Sequence, residues 1–163
     1  MPLLLPTLQT ELISIYEKGP AGNPGPILVA VKTASAYLNF VTPAIDMGGT
    51  PMLTMVGVKQ LEMDLIDYYS AINPSVDLIA QKIATAFVNC LSTFTTMNSK
   101  NISTNPGSRI LSQDLTSLFS APNLSATLFA TKFATALFNF TGLAIVSGII
   151  PGAPPIPYSG PLG

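Results

Sequence analysis

The chain has 163 residues, of which 7 are basic and 8 acidic, so 9% are charged against 48% apolar and the net charge is −1. That length suits one domain or a short array of units sharing a core; roughly 25% charge is ordinary for a soluble domain, so a partner should cover much of this surface. The lack of a basic run excludes an electrostatic footprint for nucleic acid, the absence of His removes the usual triad base and the commonest metal ligand, and a single cysteine, Cys90, excludes an internal disulfide.

The first residues, Met1 to Pro6, have no positive region, and Pro2 and Pro6 break their apolar run. They do not read as a secretory signal, so the chain is expected to stay where it is made. Leu8, Leu12, Ile15 and Tyr16 then recur at i, i+4, i+7 and i+8, the stripe of an amphipathic helix. The breaker-rich link Lys18 to Pro26 separates it from a second helical pattern, Leu28 to Asn39. Steps of 100° put Ala30, Ala34, Tyr37 and Val41 on one face, Val29, Thr33 and Phe40 beside it, and Lys32, Ala36 and Asn39 opposite. So thin a polar strip predicts a helix buried on most sides, whose small Ala face admits a neighbouring backbone.

Past Met47-Gly-Gly-Thr-Pro51, the stretch Met52 to Val58 suits a short strand, and the pattern then returns twice. Leu61, Leu65, Tyr68 and Tyr69 repeat the first stripe, Ile72-Asn-Pro-Ser75 the link, and Leu78 to Asn89 the second helix. Following Thr104-Asn-Pro-Gly-Ser108 come Leu111, Leu115, Leu118 and Phe119, the link Ala121 to Ser125, and Leu128 to Asn139. Without a gap, six columns match in all three copies: Leu28/Leu78/Leu128, Ala30/Ala80/Ala130, Lys32/Lys82/Lys132, Ala34/Ala84/Ala134, Ala36/Ala86/Ala136 and Asn39/Asn89/Asn139. An Ala-rich composition gives chance Ala matches, but not a Lys and an Asn in fixed phase.

The fold predicted is mainly α: three tandem ~50-residue helical hairpins with Pro/Gly-rich connections, stacked to bury a core that one alone could not. The units span residues 1–50, 51–105 and 106–150, and residues 151–163 form an extended Pro-rich arm. From Phe133 to Gly163 there is no charge. The uncharged run Phe133 to Ile150 raises a transmembrane helix, but Asn139, Thr141, Gly142 and Ser147 interrupt it, and the inner helices fall short by pattern of the ~20 residues a bilayer needs. Five prolines in thirteen residues keep the tail from Pro151 onward out of helices and central strands. Ile156, Tyr158 and Leu162 are expected to dock it on a neighbouring subunit.

Among chemistry-bearing residues, the repeating lysines have a repeating acid: Glu11 with Lys32, Asp64 with Lys82 and Asp114 with Lys132. These are expected to pair between the two helices of each unit and settle their register. Cys90 occupies the column of Phe40 and Phe140 and reads as a small core residue. Glu62, Asp64 and Asp67 line the exposed side of a helix without calcium-loop spacing. Gly48-Gly49 lacks the companions of a phosphate loop. No catalytic residue, cofactor site or metal site is therefore expected, and the chain reads as a non-enzymatic protein.

The repeated helix Ala80-Gln-Lys-Ile-Ala-Thr-Ala-Phe-Val-Asn89 resembles the helical repeats of small virion structural proteins of tailed bacteriophages. The resemblance covers the three inner helices and those preceding them. It implies an oligomeric assembly subunit of a virion, in the tail or baseplate ahead of the neck or capsid, made in the host cytoplasm. Its partners would be other virion proteins or copies of itself, with no nucleic acid and no small-molecule substrate. The alternative is a membrane-associated helical protein.

Overall fold

In the computed structural model, which describes residues 3–17, 24–72, 75–98 and 102–163, the chain is mainly helical with two small antiparallel sheets. Its elements run α1 (Leu5–Tyr16), α2 (Pro26–Val41), β1 (Met52–Met55), α3 (Val58–Tyr69), α4 (Val76–Ser92), β2 (Phe94–Thr96), β3 (Ile102–Thr104), α5 (Gly107–Ser120), α6 (Ala126–Gly142), β4 (Ile145–Ile150) and β5 (Ile156–Pro161). Proline occupies the first turn of α1 and α2, where an amide has no helical acceptor to lose. Ser125 caps α6 by accepting from the Leu128 amide. Of the expected links, 18–23 and 73–74 lie outside the described residues.

Each helix packs against the next, and α6 packs back on α1, so the six close into a ring. Even-numbered helices turn their large side chains to its middle. Tyr37 meets Phe87 edge-on with centroids 4.9 Å apart, Phe87 meets Phe133 at 6.0 Å, and the Tyr37 hydroxyl lies 2.9 Å from the Thr141 hydroxyl. Odd-numbered helices contribute the predicted stripes: Leu8, Leu12 and Ile15; Leu61 and Leu65; Leu111, Leu115 and Leu118 are all buried. Their last members, Tyr16, Tyr68, Tyr69 and Phe119, are half-buried.

Burial along the even-numbered helices repeats at a spacing of fifty. Ala30, Ala80 and Ala130 are buried, as are Ala34, Ala84, Ala134, Tyr37, Phe87 and Leu137, while all three lysines and asparagines of the matching columns are exposed. Ala36, expected on the polar side, is buried together with Ala86 and Ala136. The reason is the outer partner helix: the groove between α5 and α6 is lined by Asp114 and Leu118 on one side and Lys132, Ala136 and Asn139 on the other. Only the long polar tips reach water.

Two close approaches fasten the odd-numbered helices onto the even-numbered ones. A Cβ at Gly57 would stand 2.9 Å from the Cys90 Cα, and fifty residues on a Cβ at Gly107 would stand 3.0 Å from the Phe140 carbonyl oxygen. Glycine is needed at both points because backbone meets backbone.

The described parts of the α2–α3 and α4–α5 connections, and the chain past α6, meet at one end of the ring. There β1 pairs with β2, and β3, β4 and β5 form an antiparallel sheet in that order. The strand expected over Met52 to Val58 appears as β1, shortened because α3 begins at Val58. The uncharged run from Phe133 leaves the helix at Gly142 and continues as β4. No helix among the described residues is long and apolar enough to cross a membrane.

The C-terminal arm is corrected. Residues 156–161 pair in register with β4, Leu162 is buried in the chain's own core, and Ile45 and Gly163 exchange backbone hydrogen bonds. Tyr158 bonds within its own chain to Asp46. Of the four arm residues Pro151, Ile156, Tyr158 and Leu162, the first two are exposed. Prolines exclude a central strand, but β5 is an edge strand, where a missing amide on the open side costs nothing.

Candidate functional site

The polar centre of the strand end begins where α2 stops. Past Val41 the chain buries Ala44, bridges Ile45 to Pro51 and turns sharply at Asp46. Asp46 donates its amide to the Thr50 carbonyl at 3.0 Å, and Gly49 closes the turn with φ +78, a conformation that suits glycine. This leaves the Asp46 side chain pointing inward, with the residue 2% exposed.

Three separate stretches satisfy that carboxylate. Oδ1 accepts from the Thr50 amide at 2.9 Å. Oδ2 accepts from the Thr96 hydroxyl of β2 at 2.6 Å, and from the hydroxyls of Thr50 and of Tyr158 on β5. The Thr50 and Thr96 hydroxyl oxygens are themselves 3.1 Å apart. Burial pushes the Asp46 carboxyl up, but the hydrogen bonds from Thr50, Thr96, Tyr158 and the Thr50 amide outweigh it and hold it below the usual carboxylate range. Burial pushes the Tyr158 phenol up, as do its bond to Asp46 and the carboxylate charge. Among the described residues no Lys or Arg lies within ion-pair distance of Asp46; the ion pair found is Lys59 with Glu62, at 2.6 Å.

Asp46 and Thr96 stand fifty residues apart, and fifty beyond Thr96 stands Val146, also buried. One column thus supplies an acid, a donor and an apolar filler at the point where the connections meet.

A second polar centre lies at the link end. The Tyr16 hydroxyl is 2.9 Å from that of Tyr69 and 3.4 Å from that of Thr33, and the Tyr16 ring stands edge-on to Phe129 and Phe133. Burial pushes both phenols up.

Two of the three expected ion pairs share a groove, and among the described residues none of the three forms. Glu11 and Lys32 line a groove of about 240 Å³ between α1 and α2, and Asp114 and Lys132 its counterpart of about 370 Å³ between α5 and α6. Glu11 instead accepts from Asn39 at 3.3 Å, Asp64 accepts from Gln60 at 2.7 Å, and Lys82 stands 5.7 Å from the Tyr68 ring centroid. The expectation of buried pairs fails because all three lysines are exposed. In water a flexible Lys gains little from being held against one acid.

Cys90 is buried as expected, and burial pushes its thiol up to about 12, far from the thiolate a nucleophile needs. Among the described residues no cluster of His, Cys, Asp or Glu is arranged to hold a metal ion. Sequence reasoning missed Asp46, Thr50 and Thr96. The available signal was a lone acid in a connection, in phase with Thr96 and Val146. No protein-family model, curated protein or solved structure matches this chain.

Proposed function

We propose that this chain is a non-enzymatic structural subunit of a larger assembly, built from three tandem helical hairpins closed into a ring. The tandem reading is supported by the matching burial at a spacing of fifty and by the paired glycines Gly57 and Gly107. The assembly reading is carried by one observation: a surface poor in charge exposes apolar side chains at both ends of the ring. Ile27, Leu28, Ile72, Val76, Leu78 and Leu128 project at the link end, and Met47, Leu53, Val56, Met97, Ile149 and Ile156 at the strand end.

Retention of Leu28, Leu78 and Leu128 in all three copies has no explanation in packing, since all three are more than two-fifths exposed. A partner lying across that end gives one. The setting we favour is a tailed-phage virion, in the tail or baseplate, on the resemblance of the inner helices. Sedimentation over a hundredfold range of concentration tests the assembly role. The expected result is self-association that Leu28→Ser/Leu78→Ser/Leu128→Ser weakens. A monomer unchanged across that range, together with absence from particles purified in high salt, would remove the proposal.

A further inference from the structure

We propose that Asp46 is an acid-sensitive latch that fastens β5 to the turn after α2 and to β2, and that protonating it frees residues 156–163 while the ring of helices stays folded. The inference does not depend on the assembly reading.

Strand β5 is held by its ladder to β4 and by further ties to the remainder of the chain. These are the Tyr158 bonds to Asp46 and to the hydroxyls of Thr96 and Thr50, the Leu162 amide bond to the Ala144 carbonyl at 2.9 Å, and the exchange between Gly163 and Ile45. Pro157 and Pro161 donate nothing, and β5 lies at the sheet edge. Asp46 is the one charged side chain among these ties.

An ionised carboxyl only accepts, so it can take three hydroxyls on one oxygen and an amide on the other. A protonated carboxyl carries a hydrogen of its own and accepts more weakly, so the bonds that the hydroxyls of Thr50, Thr96 and Tyr158 donate to it weaken, or one of them reverses. No second charge absorbs the change. Of the groups that face Asp46 from the turn, from β2 and from β5, only Tyr158 titrates, and it is neutral throughout the acid range. The folded carboxyl titrates below the unfolded one, so the latch is fully closed above about pH 4 and opens as pH falls through the depressed folded value.

Amide hydrogen exchange of the full chain, expressed as protection corrected for intrinsic rates, tests this at pH 7 and pH 3. Protection over 156–163 should fall severalfold relative to α2, α4 and α6. Asp46→Asn should show the low protection already at pH 7 and no further acid response. Unchanged relative protection at pH 3, or a wild-type acid response in Asp46→Asn, would overturn the latch. Should Asp46→Asn not fold, Thr96→Val removes one donor and keeps both the carboxylate and its bond to Tyr158. Opening must then move to higher pH, and an unmoved midpoint defeats the proposal.

Discussion

At the link end of the ring three hydroxyls, on Tyr16, Thr33 and Tyr69, meet among aromatic rings. At the strand end three hydroxyls, on Thr50, Thr96 and Tyr158, meet on a carboxylate. The first cluster is neutral and can share its protons in any order, so acid leaves it alone. The second is organised by a charge and has only one arrangement that satisfies it. Similar numbers of polar atoms thus give the strand end alone a sensitivity to acid, while raised phenols stand at both ends, Tyr16 and Tyr69 at one and Tyr158 at the other.

The comparison breaks most completely at what both ends share. Phe87 is fully buried between Tyr37 and Phe133, so Phe87→Ala should cost about 3–5 kcal/mol in denaturant unfolding. Both ends should lose protection together; loss at one end alone would show them to be independent units.

Smaller is the effect of the hydrogen bond between Tyr37 and Thr141, which joins α2 to α6 inside the core. Tyr37→Phe leaves the Thr141 hydroxyl unpaired and should cost about 1–3 kcal/mol, while Tyr37→Phe/Thr141→Val should recover part of it. A double variant weaker than the sum of the single ones would contradict this account of the pair.

Titration sharpens the contrast directly. Asp46 has a lowered folded pKa, so its contribution is present above about pH 4 and lost below it. Tyr16 and Tyr69 have raised ones, so theirs is present below about pH 10 and lost as pH rises past it. Cys90, pushed up to about 12, adds to the alkaline loss. Thermal unfolding against pH should show both limbs, with Thr96→Val altering the acid limb and Tyr16→Phe the alkaline limb. A change in the acid limb caused by Tyr16→Phe would overturn the assignment.

The smallest effect belongs to the lysines. Lys82→Ala is expected within about 0.5 kcal/mol of wild type by chemical denaturation, because an exposed side chain with no ion pair has little to lose. A larger loss would restore the structural role that its column suggests.

Sequence legibility followed the same division. Leu8, Leu12 and Ile15, or Leu111, Leu115 and Leu118, announce their helices because burial on one face writes a 3.6-residue period into the chain. Ala36 was misread because its second covered side faces a neighbour whose position no period records. The strand end left no such trace. Asp46, Thr50, Thr96 and Tyr158 come together only through the turn at Gly49 and the pairing of β4 with β5, and neither is a regularity of the sequence. Pro157 and Pro161 pointed away from a sheet, although an edge position accommodates them.

Contact between α1 and α6 has a kinetic meaning. Tyr16 and Phe129 are separated by more than a hundred residues, yet their rings stand 5.0 Å apart. An open row of helical hairpins can nucleate anywhere and fray from either extremity. A closed one has no extremity from which to unravel, and its closing contact requires the ends of a long loop to find each other before it contributes anything. Folding should therefore be slower than the helical content alone suggests, because such distant contacts raise the barrier. Once shut, the six helices should be lost together.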